Sequence, residues 1–367
     1  MKGPWRTLVL LIILLVGASQ FSDSSETSSA QTLSLIWTRT TPWPWLRTPA
    51  TADTTFYLQI EWGKLSELSL RDGRILREVM LPEPSSCQRP IIDRGLLFLA
   101  CSNGNMVAYD LRTLTPHWST CVSPPSPPGP CGSSVFYELG PLCANGEHVY
   151  VCSSDANAYC LNRETGDIEW KQPLQRHLSF AQPQLAEECL LTAGVDSMLS
   201  VFDRATGELL WDVPLGEMIE WSGPQVLGTL AYIGGSGGSV SCVDLLTHKL
   251  RWQTRAGTRI RVPISVTEHL ICAVDQSGIY GLDPMSGSLL WRRDVGGHGA
   301  LQADGVVYCV STDSSLVALD RRTGRTVATC PMGPAHVFSQ PVAFSDRLLV
   351  AARGAIYCFQ ALRPQDD

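Results

Sequence analysis

Val201-Phe202-Asp203-Arg204-Ala205-Thr206-Gly207-Glu208-Leu209-Leu210-Trp211 reads as a strand end, a tight turn and a second strand closing on a tryptophan. The phrase recurs. Leu161-Asn162 runs through Gly166 to Trp170, and Leu282-Asp283 runs through Gly287 to Trp291. Tyr109-Asp110 reaches Trp118, and Val243-Asp244 reaches Trp252 with His248 in the glycine slot. Leu319-Asp320 keeps Gly324 but has Ala328 where the tryptophan belongs. An Asp or Asn followed eight residues later by Trp, five times over, is an internal repeat with a period of roughly forty residues.

Each unit carries short apolar runs broken by turns. In Cys189-Leu190-Leu191-Thr192-Ala193, then Met198 to Asp203, then Glu208 to Trp211, the strands are separated by Gly194–Ser197 and by Ala205-Thr206-Gly207. Asp at the start of a turn accepts bonds from nearby backbone N–H groups, and Gly supplies the positive φ near its end. A further strand precedes each unit, as in Phe338 to Phe344. Four strands in about forty residues is the content of a propeller blade. No stretch beyond the leader sustains helical periodicity.

Counting slots sets the blade number. Ser69 lies one repeat before Asp110 and Gln360 one repeat after Asp320, which makes eight equivalents. The last unit lacks its outer strand, and Leu33 to Arg39, with Trp37, looks like the missing piece. The expected fold is therefore an all-β, eight-bladed propeller of four-stranded antiparallel blades over residues 31–362, closed by the N-terminal strand so that no radial edge stays free. Seven blades remain open if the first unit is not a full sheet. The tryptophans are expected to seal one blade against the next, with the indole N–H finding a carbonyl.

The flanks read differently. Lys2 and Arg6 precede the apolar run Leu8–Val16 and then Gly17-Ala18, the order of a secretory signal peptide over 1–18, with an uncleaved N-terminal anchor as the alternative. Residues 19–30 are Ser/Thr-rich and read as a disordered spacer, and 363–367 as a tail. Export to the cell exterior, a lumen or the periplasm follows from the leader; a cytoplasmic protein is the alternative. The net charge of −7, with no Lys/Arg run, argues against nucleic-acid binding.

The chain has 13 cysteines. Cys160, Cys242 and Cys358 share one slot two residues before the Asp position, and Cys101, Cys152, Cys272 and Cys309 sit in the preceding strand, the placement of small buried apolar side chains. Cys121 and Cys131 flank the proline-rich insertion at 122–132 and are expected to staple it. There is no C-x-x-C and no adjacent cysteine pair. The seven histidines are scattered with no metal-ligand spacing. Gly234 to Gly238 lacks the following Lys and helix of a phosphate cradle and reads as a hairpin turn.

The Leu/Val-Asp-x-x-Thr-Gly-x-x-x-Trp phrase resembles the repeat of pyrroloquinoline-quinone-type propellers. That family includes quinoprotein dehydrogenases, non-enzymatic outer-membrane assembly lipoproteins of the BamB kind, and the propeller tail of beta-alanine-activating enzymes. The resemblance implies, for an enzyme, a vicinal disulfide and a tryptophan sandwiching the quinone beside a calcium. This chain has no such cysteine pair and only five asparagines. The expectation is a non-catalytic scaffold for a protein or peptide partner, with no cofactor, no metal and no membrane contact beyond the leader. A quinone- and calcium-dependent oxidoreductase and an intracellular propeller module like the beta-alanine-enzyme tail are the alternatives. Glu217, Glu220 and Trp221 in one connector, Trp221 also as a channel-facing residue, and His298 in Gly296-Gly297-His298-Gly299 are the candidate partner contacts, together with the insertion.

Overall fold

The computed structural model describes residues 31–42, 46–61, 63–81, 88–124, 138–174, 181–333 and 339–362. The leader, the spacer, the tail, Cys131 and most of the insertion lie outside the described residues.

Eight antiparallel sheets follow one another in chain order, and successive innermost strands lie side by side around one axis. Blade 4 shows the pattern: Gln184–Ala186, Cys189–Ala193, Met198–Asp203 and Leu209–Pro214, from the inside outward. The described residues contain no helix. Blade 1 is a full four-stranded sheet, Ala50–Ala52 to Ile75–Met80, so the count is eight. Blade 8 takes its outer strand from the other end of the chain: Leu35–Thr40 pairs antiparallel with Ala355–Gln360, with Trp37 opposite Cys358. The chain starts one blade earlier than expected. Gln31–Thr32 adds a fifth, parallel strand to the outer edge of blade 7, on Thr326–Pro331.

The repeated phrase works across seams. Asp203 Oδ1 accepts the N–H groups of Ala205 and Thr206 at 2.9 and 2.8 Å, and Gly207, at φ 75°, returns its N–H to the Asp203 carbonyl. The Thr206 N–H and hydroxyl hold the Asp203 carboxyl below its ordinary range. A register shift precedes the tryptophan position in every blade. Such a bulge re-aims the next side chain. The indoles of Trp37, Trp118, Trp170, Trp252 and Trp291 then lie against the glycine of the following blade. A Cβ added at Gly73, Gly166, Gly207 or Gly324 would come within 2.6–2.7 Å of the ring of Trp37, Trp118, Trp170 or Trp291. Trp37, Trp118, Trp170 and Trp291 donate Nε1–H to the carbonyls of Leu70, Arg163, Arg204 and Arg321 at 2.8–3.0 Å.

The departures from the phrase are compensated in pairs. At the seam between blades 1 and 2, Arg77 stands in the tryptophan slot and donates to the Leu111 and Arg112 carbonyls, while buried Leu114 replaces the glycine. Trp211 stacks on His248 with ring centroids 4.5 Å apart. Trp252 rests on Gly287 with its Nε1 unpartnered, and the Tyr232 hydroxyl takes the Pro284 carbonyl at 3.2 Å. Ala328 faces blade 8, whose missing turn leaves nothing to stack on; Leu33, 1% exposed, fills that seam.

Two cysteine expectations need correction. Cys121 is a free, exposed thiol, so the Cys121–Cys131 staple is not formed. Cys101, expected to be a simple core filler, is disulfide-bonded. All ten described cysteines other than Cys101, Cys121 among them, are free. A slot repeated once per blade places equivalent thiols on different sheets, beyond the short Cα separation that a disulfide requires. Burial pushes the Cys152 and Cys309 thiols up to about 12, which keeps them protonated and unreactive.

Candidate partner-binding face

Connectors between blades and the hairpin turns joining the two middle strands meet on one face of the ring. On blades 4 to 6 they build one braced surface. The connector 215–224 links blades 4 and 5, and its Ile219, 1% exposed, is the anchor, with the Ile219 N–H on the Gly194 carbonyl at 3.0 Å. The Met218 carbonyl accepts the Ser236 N–H at 2.8 Å.

The glycine-rich hairpin is a turn, as its lack of a following Lys and helix predicts, and it also holds an anion. Glu217 lies against Gly235 and Gly237, where any Cβ would collide with its carboxylate, and Oε1 accepts the Ser239 N–H at 3.1 Å. Backbone N–H groups of a turn favour negative charge. Here the charge comes from the neighbouring connector.

Glu220 is braced from the other side. Arg259 Nη2 donates to Oε1 at 2.8 Å, and Arg261 Nε lies 2.7 Å from Oε2 as a charge contact rather than an aligned hydrogen bond. Burial alone would raise this carboxyl; the two guanidinia outweigh it and leave it below the ordinary range. Both arginines come from the connector 256–264, which Asp275 fastens to blade 6. Asp275 is 4% exposed and accepts from Thr258 N–H at 2.6 Å, Thr258 Oγ1 at 2.9 Å, Ser277 N–H and Gly278 N–H at 2.8 Å, and Tyr280 hydroxyl at 3.1 Å. Burial would raise its carboxyl, and these donors push it far below the usual value instead.

A depressed carboxylate contributes stability that is complete above the unfolded-state value of about 3.9 and is lost as pH falls toward the folded-state value. Asp275→Asn is therefore expected to cost about 2–3 kcal/mol at neutral pH. It should also flatten the loss of stability below about pH 4, as read from urea unfolding across a pH series. Equal slopes in the two proteins would refute the role given to Asp275.

Met218 and Trp221 stand out of this frame, 49% and 43% exposed. Thus Glu217, Glu220 and Trp221 share one connector, while His298 lies two blades on, in the innermost strand Gly297–Ala303 of blade 7. Met218, Arg259, Arg261 and Asp275 had no sequence signal as a group, because they come from separate connectors and a hairpin.

A sequence search of curated proteins finds no match. Among solved structures, the chain is similar to BamB from Moraxella catarrhalis (TM-score 0.72, 15% identity, 90% of this chain and 100% of that one). It is also similar to Sqt1 from Saccharomyces cerevisiae (0.72, 10%, 91% and 100%). A third is the quinohemoprotein alcohol dehydrogenase ADHIIG from Pseudomonas putida HK5 (0.71, 12%, 92% and 78%). At these identities the likeness is one of fold. The family model PQQ_2, outer membrane protein assembly factor BamB, matches residues 26–140, 138–327 and 239–356. Since these matches run through nearly all of the propeller, the chain belongs to the PQQ-like repeat family described as outer membrane protein assembly factor BamB.

Proposed function

We propose that this protein is a non-catalytic propeller scaffold that binds a protein or peptide partner on the face carrying the 215–224 connector. The supporting observation is the pairing of two exposed large side chains, Met218 and Trp221, with two immobilised acids, Glu217 and Glu220, on the same connector. Acids already held in place lose little freedom on association, and tryptophan is enriched among residues that dominate binding energy. Affinity capture with the full chain supplies the partner. The double variant Met218→Ser, Trp221→Ala should then bind it at least ~10-fold more weakly. Its unfolding free energy should stay within about 0.5 kcal/mol of the parent, as for exposed substitutions generally. Unchanged affinity would move the contact elsewhere on the ring.

The leader supports export, and the free thiols support the intracellular alternative. Thiol titration of the native protein separates the two readings: two or more disulfides favour export, and mostly free thiols favour a reducing compartment. The quinone-dependent reading has no specific observation in its favour; it requires added quinone and calcium to change the absorbance and raise the melting temperature.

A further inference from the structure

We propose that blade 3 carries a transition-metal site of the Zn(II) type, formed by His148 Nε2, Cys160 Sγ and a Glu169 carboxylate oxygen. The scattered histidines predict no metal site by spacing along the chain. The sheet supplies the missing spacing sideways. His148 opens the strand His148–Ser153, Cys160 lies in Asn157–Asn162, and Glu169 lies in Ile168–Pro173, three neighbours in one sheet. Their ligand atoms all lie within 4.8 Å of one another, and His148 Nε2 is 2.8 Å from Glu169 Oε2. Glu169 sits at the register shift before Trp170, and this bulge brings its carboxylate to the same side as the other two.

The dimensions fit. Zinc bonds of about 2.0–2.3 Å in a tetrahedron place ligand atoms roughly 3.3–3.7 Å apart. The His148–Glu169 pair need open by only about 0.6 Å, and the thiol need close by at most about 1.3 Å. Binding releases the Cys160 proton to solvent, exchanges the His148–Glu169 contact for two metal bonds, and changes no oxidation state. Three protein ligands leave a fourth position for water or another donor. His148 and Glu169 side chains are 22% and 35% exposed, so an ion reaches the site from solvent.

A second observation concerns Asn162. The other phrases that run on to a tryptophan have Asp in this slot. Asn162 Oδ1 still caps its turn, accepting from Glu164 and Thr165 N–H at 3.0 and 3.1 Å, while Nδ2 donates to Glu169 Oε1 at 2.9 Å. An aspartate cannot make that donation. The amide orients the carboxylate and leaves Oε2 toward His148, the outer-shell support that metal ligands receive. The combination is confined to this blade: the three ligand slots hold Cys189, Val201 and Leu210 in blade 4, and Leu230, Cys242 and Arg251 in blade 5.

Cobalt(II) titration of the full chain is the test. One equivalent should produce a thiolate charge-transfer band that zinc abolishes. The band should vanish in Cys160→Ser and in His148→Ala, the latter a partly exposed position whose change leaves the core intact, and persist in Cys242→Ser. Asn162→Asp, which preserves the turn cap, should weaken binding roughly 10- to 100-fold without lowering the melting temperature. Absence of the band in the parent, or a band that survives His148→Ala, overturns the proposal.

Discussion

Trp118→Ala should lower the unfolding free energy by about 3–5 kcal/mol, the range for emptying a buried aromatic site. The ring is 9% exposed, lies against Phe98 at 5.8 Å between centroids, and donates to the Arg163 carbonyl of the next blade at 2.8 Å. Its loss opens the seam between blades 2 and 3. The stack makes a sharper claim when probed from the other side. Gly166 has φ 75°, and an added Cβ would come 2.6 Å from the indole. Gly166→Ala should therefore cost about 2–4 kcal/mol, combining backbone strain with overpacking. Gly228, at φ 58° with nothing within 4 Å, should cost only about 1 kcal/mol on the same change. In the Trp118→Ala background the penalty at Gly166 should shrink by about 1–2 kcal/mol, since the ring contact is gone while the backbone strain and the approach to Thr120 Oγ1 at 2.8 Å remain. Urea unfolding of the four proteins in the cycle measures this. Strict additivity would show that the ring and the glycine do not press on each other.

Removal of residues 1–40 should abolish the cooperative, monomeric fold. It strips the outer strand from blade 8 and leaves Ala355–Gln360 as an open edge, a template for pairing with other chains. It also removes Trp37 from Gly73 and from the Leu70 carbonyl, and Leu33 from the seam between blades 7 and 8. Two buried clusters open together. Light scattering should show self-association, and a peptide covering 31–42 added during refolding should restore monomer. A truncated protein that stays monomeric and melts at the parent temperature would mean the ring is shut by something other than this strand.

Much of this architecture could be read in the chain. A turn is a local event: Asp203 bonds to residues two and three further on, Gly207 adopts the conformation the turn needs, and a tryptophan four residues later starts the next contact. Such short-range rules repeat visibly, and counting them yields eight units and the borrowed strand at Trp37. The fifth strand at Gln31–Thr32 was not legible, because a parallel two-residue pairing on an outer edge leaves no periodic mark. The pairing of Arg77 with Leu114 was hidden for a related reason. Each residue looks like a degenerate repeat position, and only the seam shows that one answers the other.

The candidate sites divide the same way. Glu217, Glu220 and Trp221 drew notice as neighbours in sequence, but the arginines that brace Glu220 and the aspartate that fastens their connector come from later segments. The free thiol at Cys121 likewise reversed an expectation based on the proline-rich segment between it and Cys131, and the disulfide at Cys101 reversed one based on its repeat slot.

By itself the sequence determined the repeating turn and the strand order within each blade, since these depend on contacts a few residues apart, and a count of them pointed to eight blades and a borrowed closing strand, which the full sheet of blade 1 and the pairing of Trp37 opposite Cys358 then fixed. Only the tertiary structure decided which connectors brace one another and that His148, Cys160 and Glu169 meet. Those groupings depend on strand register, the bulge before each tryptophan position and the rotation from one blade to the next, and none of these leaves a fixed spacing along the chain.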